Sequence, residues 1–402
     1  MEKPKGVGIH VFAGGFTMGV KQVLPVVGQL EIHNFGRHTC ESHGTKFMNA
    51  NTWREWEQYN DVTSDCQFCY GNPRCTAFSC YSAGHSREVR GPTAKPTQDI
   101  WDLCQYGIKH KLELICFESV QQAYTVGKQL LNILRDDLFI PNGYRIAHLF
   151  VNTAAEGNAQ KRRRYFFVAY KDNHNFNVVL PKLPEYRVTV GDILGQQFFE
   201  NRPVYEGNLT GKCNVDYTMD TFKKLSKKDK AYIPYLKQGE CAHSLVKRDE
   251  DLFEQICPEM YEKWITRVSN IPFSLHAPVR LKWNGHCPTI ASTSRNLIHP
   301  IYHRPLTIGE IAALMGWPLG FIPAGPDPVG QIGKGVVPAT GKWLAEQIKL
   351  YFENYWGNED FESTYYHHRD TWVGKLNVQG AKEKVFNLTH YLPTFKESHD
   401  VC

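Results

Sequence analysis

A cysteine, a glutamate and two arginines have side chains that can perform nucleophilic and acid–base chemistry together. Cys75 lies in a Pro-Arg-Cys turn, Glu118 ends an apolar run, and Arg162 and Arg164 belong to a basic cluster. A thiolate attacks electron-poor carbon, a carboxyl group shares a proton, and guanidinium groups stabilise developing negative charge. Singly, each has an ordinary interpretation as a buried thiol, a solvated carboxylate or a charged face. Together they indicate a catalytic site if the fold brings them to one place.

Alternating apolar runs and helical patterns predict the elements that must position these residues. Strand patterns cover residues 6–12, 29–32, 67–71, 112–117, 144–151 and 164–170, and helical patterns cover 97–109 and 121–137. Such alternation favours an α/β fold, a Rossmann-like and mostly parallel sheet with helices on both faces. In an open parallel sheet, ligands bind outside the carboxyl ends of the strands. One crevice is therefore expected to gather Gly14, Gly15, Glu31, Asp61, Cys75 and Glu118.

The alternation of strand and helix patterns ends after residue 171. The predicted boundaries are a first domain over 1–171, an inserted smaller domain over 172–298, a returning segment over 299–356 and a C-terminal extension over 357–402. The inserted segment carries the lysine-rich stretch 223–230 and one helical pattern over about 251–268. Thr307 and Glu310 form a capping-box pattern that opens a helix, and a further helix is expected over 340–355.

Composition limits the class of protein. The 402 residues are 42% hydrophobic and 22% charged, which predicts a globular chain with a large core. No run of eighteen apolar residues occurs, and the amino terminus resembles a strand rather than a signal segment, so we expect a cytoplasmic protein with no membrane partner. Twelve cysteines in a chain of this length indicate reduced, buried thiols. A net charge of +5 permits a polyanionic partner without requiring one.

A zinc site at the cysteine cluster is disfavoured. Cys66 and Cys69, with Cys75 and Cys80 downstream, have spacings that superficially suggest metal ligands. Residues three apart on a strand point to opposite faces, so the first two thiols are not expected to share one ion. We therefore predict no metal.

Five short motifs follow one another along the chain: Phe-Ala-Gly-Gly-Phe at 12–16, Pro-Arg-Cys at 73–75, Glu-Ser-Val at 118–120, Gln-Lys-Arg-Arg-Arg at 160–164 and Arg-Pro-Leu-Thr at 304–307. Their order and chemistry resemble those of the DNA (cytosine-5)-methyltransferases, and the resemblance covers most of the chain. Pro-Thr-Ile at 288–290 and His-Pro at 299–300 precede the last motif, as in many members. The resemblance implies transfer of a methyl group from S-adenosylmethionine to carbon 5 of cytosine in double-stranded DNA.

The resemblance also implies a role for each residue. Cys75 would attack carbon 6 of a flipped-out cytosine, and Glu118 would hold ring nitrogen 3 and the exocyclic amine. Arg162 and Arg164 would lie beside the base. The inserted domain would recognise the target sequence, and the protein is expected to act as a monomer. The implied cofactor-binding residues are Phe12, Ala13, Gly14, Gly15, Glu31, Asp61, Lys334 and Val336.

Departures from the family pattern cluster around the cofactor. His10 stands where an acidic residue is usual, the glycine-rich loop is two residues shorter than the usual form, and Lys334 replaces an asparagine. Loss of an acid and gain of a cation favour an anionic ligand. A carboxylated S-adenosylmethionine or a reduced folate is therefore an alternative donor. The favoured interpretation is that the donor is ordinary S-adenosylmethionine and that Lys334 points to solvent.

Two departures lie beside the nucleophile. Arg74 replaces a proline, and Ser119 replaces an asparagine that usually props the cysteine loop. Arg74 is interpreted as lowering the pKa of Cys75, as holding a phosphate, or as a solvated side chain. Two other functions stay open: a nucleic-acid-binding pseudoenzyme, which the intact catalytic residues disfavour, and a transfer RNA cytosine methyltransferase.

Overall fold

An eight-stranded sheet forms the centre of the chain. The computed structural model describes residues 2–79, 91, 93–174, 176–179, 188–195, 225–266, 278–291, 297–318, 323, 327–354 and 383–387. The strands are β1 Gly6–Ile9, β2 Val26–Glu31, β3 Phe47–Asn49, β4 Phe68–Gly71, β5 Leu114–Ser119, β6 Tyr144–Asn152, β7 Arg163–Lys171 and β10 Glu383–Asn387. Their order is β10-β6-β7-β5-β4-β1-β2-β3, and only β7 runs antiparallel to its neighbours. The predicted mostly parallel α/β fold is confirmed.

Helices surround this sheet. Those described are α1 Gly15–Val20, α2 Arg37–Ser42, α3 Asn60–Thr63, α4 Gln98–Lys109, α5 Gln122–Val126, α6 Lys128–Ile133, α7 Val190–Leu194, α8 Lys227–Tyr232, α9 Ala242–Arg248, α10 Glu250–Ile256, α11 Pro258–Thr266, α12 Ile308–Leu314, α13 Pro328–Lys334 and α14 Pro338–Phe352. Alternate residues of β5 face opposite sides, so Ile115 packs in a cluster with α4 and α6 and Cys116 in one with α1 and α14. Both faces of the sheet are thereby covered.

The structure differs from the predicted elements in several places. The helix predicted over 121–137 is divided into α5, α6 and a π-helical turn over Leu134–Phe139. The helix predicted over 251–268 is two helices, because Pro258 lacks the N–H needed to continue α10 into α11. Strands β3 and β10 were not predicted. β3 has three residues, too few to show a period, and β10 lies in a tail whose pattern was not interpretable.

The part of the chain after β7 contributes a hydrophobic cluster of its own. Residues of α8, α9 and α10, including Tyr232, Leu245 and Phe253, bury one another together with Ile298. A small parallel pair, β8 Val279–Arg280 with β9 Leu297–Ile298, adjoins it. Residues 196–224, and with them Lys223, lie outside the described residues. In the described part of the chain, no helix combines the length and apolar character needed to cross a bilayer.

The order in which the chain adds strands to the sheet reverses at β1. From β1 the chain proceeds outward through β2 and β3 and then returns to β4 on the other side of β1. Ile9 at the end of β1 lies beside Gly71 at the end of β4. A Cβ atom on Gly71 would lie 2.3 Å from the Ile9 carbonyl oxygen, so only glycine allows this approach. The loops after β1 and β4 therefore leave the sheet side by side, where α/β proteins bind ligands.

Candidate active site

The loop after β1 has an unusual backbone held by one carboxylate. His10 and Phe12 adopt left-handed conformations with φ of 55° and 59°, which non-glycine residues rarely do. Glu31, at the end of β2, accepts the N–H groups of Val11 at 2.6 Å and Phe12 at 2.8 Å through Oε1. These two hydrogen bonds hold the strained loop in place.

Glu31 has an unused acceptor. It is fully buried, and among the described residues its Oε2 atom has no hydrogen-bond partner. Burial raises the pKa of Glu31 to about 8, although the hydrogen bonds from Phe12, Val11 and Gln29 oppose the shift. A carboxyl group with one free oxygen at a strand end can accept a hydrogen bond from a ligand hydroxyl.

The two loop glycines allow close packing. A Cβ atom on Gly14 would lie 2.2 Å from the ring of His43, and one on Gly15 would lie 2.7 Å from the carbonyl oxygen of Val336. His43 Nε2 also lies 3.1 Å from the Ala13 carbonyl oxygen. The structure thus brings the returning segment at Val336 against the loop, as a shared cofactor site requires.

Cys75 lies in the loop after β4. Its side chain is half-buried, and its carbonyl accepts the N–H groups of Phe78 and Ser79, both at 3.0 Å. Burial raises the pKa of the Cys75 thiol, the carboxylate of Glu118 adds to this, and Arg164 and Arg162 oppose it. The thiol of the free protein is therefore protonated at neutral pH, and substrate binding must favour the thiolate.

Glu118 is held on both oxygens at the end of β5. Its side chain is 2% exposed, Arg164 Nε lies 2.7 Å from Oε1, and the Asn72 amide donates to Oε2. Burial raises the pKa of Glu118, although Arg164, Arg162 and Asn72 oppose the shift. A carboxyl group fixed in this way can present a proton in one direction.

Arg162 is placed differently from Arg164. It is buried, and its guanidinium donates to the carbonyl oxygens of Ile290 at 2.7 Å, Gly335 at 2.8 Å and Gly333 at 3.1 Å. Burial, with the positive charge of Arg164, lowers the pKa of Arg162 to about 9. Arg162 therefore joins the start of β7 to the segment that follows α13, and it acts on Cys75 and Glu118 through its charge.

Lys334 and Asp61 are the last two of the predicted cofactor-binding residues. Lys334 is exposed at the end of α13, and its Nζ atom lies 4.1 Å from the centre of the Phe35 ring. That ring packs edge-on against Phe12 at 6.2 Å, so Lys334 lies at the rim of the loop. Asp61 is exposed on α3, and in the described part of the chain no hydrogen bond or ion pair joins it to the other predicted residues.

Two residues of the site were missed in the sequence. Asn72, which supports Glu118, could have been found as the polar residue directly after a predicted strand. Asp99, in the first turn of α4, gave no sequence signal. Arg74 forms a forked ion pair with it, Nε to Oδ2 at 2.6 Å and Nη2 to Oδ1 at 2.7 Å. None of the three interpretations of Arg74 anticipated this contact.

One group of side chains has the spacing of a metal site. The ligand atoms of His10, Asp99 and Asp102 lie within 4.8 Å of one another, and all three side chains are buried. Arg74, however, occupies both oxygens of Asp99, and its positive charge would repel a cation there. We therefore assign no metal to this group.

Comparison with known proteins gives concordant results. The family described as C-5 cytosine-specific DNA methylase matches residues 11–350. The type II methyltransferase M.DdeI of Desulfomicrobium norvegicum is 23% identical over 384 residues, which cover 86% of this chain and 89% of that protein.

Solved structures share the fold. A protein described as a DNA modification methyltransferase encoded within an E. coli prophage has a TM-score of 0.56 at 17% identity, covering 87% of this chain and 99% of that one. The Entamoeba histolytica methyltransferase EhMeth has a TM-score of 0.53 at 11% identity, covering 87% and 98%.

Proposed function

Because this chain belongs to the C-5 cytosine-specific DNA methylase family, we propose that Cys75 bonds covalently to carbon 6 of a flipped-out cytosine while carbon 5 is methylated. Membership makes the chain an enzyme that transfers a methyl group to cytosine, with DNA as the substrate class. One observation carries the finer proposal. Glu118 is buried, held by Asn72 and Arg164, and close enough to Cys75 to raise the pKa of its thiol.

The chain's residues divide the reaction between them. Cys75 gives its proton to water and forms the sulfur–carbon bond, which moves the ring electrons towards carbon 5. Glu118 donates a proton to ring nitrogen 3 as negative charge develops there and later takes it back. Arg164 holds the carboxyl group in place throughout. Once carbon 5 carries the methyl group, its proton leaves to water, the bond to Cys75 breaks as the thiolate departs, and the ring double bond returns.

S-adenosylmethionine is the proposed donor, and the residues present fit it. Glu31 has a buried oxygen without a partner, which suits a hydroxyl group of the ligand, and Phe12 and Phe35 offer aromatic surface beside it. The backbone of Gly14 and Gly15 allows close approach. When bound, S-adenosylmethionine supplies the electrophilic methyl group.

A covalent trap tests the proposed chemistry. DNA containing 5-fluorocytosine should form a denaturation-resistant adduct with the wild-type protein in the presence of donor, because fluorine cannot leave carbon 5 as a proton does. Cys75→Ala should form none and still bind DNA. RNA of the same sequence serves as the second substrate. An adduct that persists in Cys75→Ala removes this residue as the nucleophile, and adducts on RNA alone would favour a transfer RNA enzyme.

A donor with an additional carboxylate is a second candidate, supported by Lys334. The Lys334 ammonium lies over the Phe35 ring, at the rim of the loop after β1. In the described part of the chain, no carboxylate forms an ion pair with it. Such a cation favours an anionic ligand. If this donor is used, it should bind more tightly than S-adenosylmethionine by about 0.2 to 1 kcal/mol, the range for an ion pair with an exposed side chain.

Calorimetry separates the two donors. S-adenosylmethionine, its carboxylated form and a reduced folate are titrated into the wild type, Lys334→Asn and the control Lys342→Asn, which changes an exposed lysine of α14. Lys334→Asn should remove any preference for the anionic donor, and the control should keep it. Tight binding of S-adenosylmethionine alone, unaffected by either substitution, would refute the second candidate.

A further inference from the structure

The first turn of α4 lies beside both loops that flank the crevice. From the loop after β4, Arg74 reaches Asp99 with both sides of its guanidinium fork, and its backbone N–H points to Oδ2 at 3.4 Å. Asp99 is 3% exposed at its side chain and Arg74 37%. A forked pair with one buried partner restricts orientation as well as distance. The residue directly before Cys75 is thus fixed to α4.

The other loop reaches the same turn of the helix. His10 is fully buried, and its Nε2 atom lies 4.0 Å from Oδ2 of Asp102. Asp99 and Asp102 are three residues apart and lie on one face of α4. The His10 ring also packs against Trp56, with ring centres 5.3 Å apart. One helical turn therefore contacts the start of the glycine-rich loop and the residue next to the nucleophile.

We propose that the Arg74–Asp99 pair is a positioning device that holds the Cys75 loop in register with the loop that receives the methyl donor. The proposal rests on the proposed function for its catalytic consequence. Arg74 does not act on the thiol directly, because the charges that shift the pKa of Cys75 are those of Glu118, Arg164 and Arg162. Proline, usual at this position in the family that the chain resembles, would restrict the backbone by its ring. Here an ion pair supplies the restriction.

Both partners of the Arg74–Asp99 pair are charged at neutral pH. Burial raises the pKa of Asp99, but the hydrogen bonds and the positive charge of Arg74 oppose it, and the net pKa is lowered. The carboxylate is therefore ionised at neutral pH. Removal of either partner leaves the other without its charge complement and releases the loop.

The catalytic test compares variants of the pair with a matched control. Asp99→Asn, Arg74→Gln and their double variant are compared with Arg248→Gln, which breaks a second forked pair, Arg248 with Glu240 at 2.9 and 3.1 Å. Single-turnover adduct formation on 5-fluorocytosine DNA should slow about tenfold or more in the pair variants, with DNA affinity changed less than about twofold. The double variant should be no slower than the slower single one, because both remove the same contact.

A second measurement does not depend on methyl transfer. Alkylation of Cys75 by iodoacetamide in the free protein, followed by peptide mass spectrometry, should accelerate several-fold in Asp99→Asn and Arg74→Gln, because a released loop exposes the thiol to water. Arg248→Gln should match the wild type. Arg74→Lys, which keeps the charge and loses the fork, should be intermediate, and it replaces any pair variant that fails to fold.

The outcomes are separable. Wild-type alkylation rates in folded pair variants, or in Arg74→Lys where those variants fail to fold, would overturn the positioning role, whatever the adducts show. Accelerated alkylation with normal adduct formation would also overturn it, since the loop would then be released without catalytic cost. No adduct in the wild type, with accelerated alkylation in the variants, would refute the proposed function and leave the structural contact in place.

Discussion

Glu118 shows how one buried residue limits the chemistry of the site. Its carboxyl group has a raised pKa and fixed neighbours. Replacement by the amide of glutamine therefore keeps the size and shape of the side chain but removes the carboxyl proton. Glu118→Gln should lower the single-turnover rate by roughly 10²-fold or more, because an amide cannot pass a proton to ring nitrogen 3. DNA affinity, measured by fluorescence anisotropy, should change little. Glu41→Gln, at an exposed residue, is the control, and an equal loss there would point to a general defect.

Glu31 should give the free protein a characteristic pH dependence. Its pKa is about 8 in the folded state and 4.5 as the ordinary value, so the folded protein binds the proton more tightly. This contribution to stability is complete below pH 4.5 and is lost as pH rises to about 8. In Glu31→Gln the melting temperature should therefore rise relative to the wild type between pH 5 and pH 8.5, by about 2 °C or more. A constant difference across this window would contradict the raised pKa.

At the residue scale, the sequence indicates which side chains can react better than it indicates which atoms those side chains contact. Cys75 and Glu118 are predicted as catalytic because their residue types and positions after strands carry information, and the structure brings both together with Arg164. Arg162 was assigned to the same role, yet its guanidinium binds backbone carbonyls that lie far along the chain. No local pattern encodes such a contact, because backbone carbonyls look the same in every sequence.

At the scale of elements, Arg162 joins β7 to the segment between α13 and α14. Replacement by Met leaves the carbonyl oxygens of Ile290, Gly333 and Gly335 buried without this donor. Arg162→Met should therefore lower the free energy of unfolding by about 2 kcal/mol or more, measured in urea. Arg163→Met, one residue along and exposed, should change it by less than about 0.5 kcal/mol. If both variants lost the same free energy of unfolding, the hydrogen bonds of Arg162 would contribute no particular stability.

Element boundaries were predictable where a chemical signal marks them. The capping box of Thr307 and Glu310 was expected, and the structure shows both reciprocal bonds at the start of α12. Pro258 likewise marks the break between α10 and α11, because proline lacks the N–H that would continue the first helix. Gly127 marks the division between α5 and α6, since it ends the first helix and precedes the second. The change to a π-helical turn at Leu134 has no such marker, because the apolar period continues through it.

At the scale of the whole molecule, α8 presents an exposed basic surface. Lys227, Lys228 and Lys230 are exposed there, and Lys228 pairs with Glu259 at 3.1 Å. If Lys227 and Lys230 each meet a phosphate, replacing both by Ala should reduce the slope of log affinity against log salt by about 1.8. An unchanged slope would make this surface an ordinary solvated face. Replacing Lys342 and Lys349 of α14 provides the control.

The last strand of the sheet has a practical consequence for anyone who shortens this protein. β10 pairs in parallel with β6 over five residues, although a long stretch of sequence separates it from α14. Truncation after Glu353 would remove that partner and present the backbone of β6, from Ile146 to Phe150, as an uncovered edge. Such edges recruit strands from neighbouring copies. A shortened protein should therefore form aggregates at concentrations where the intact chain does not, even though every residue of the catalytic crevice is retained.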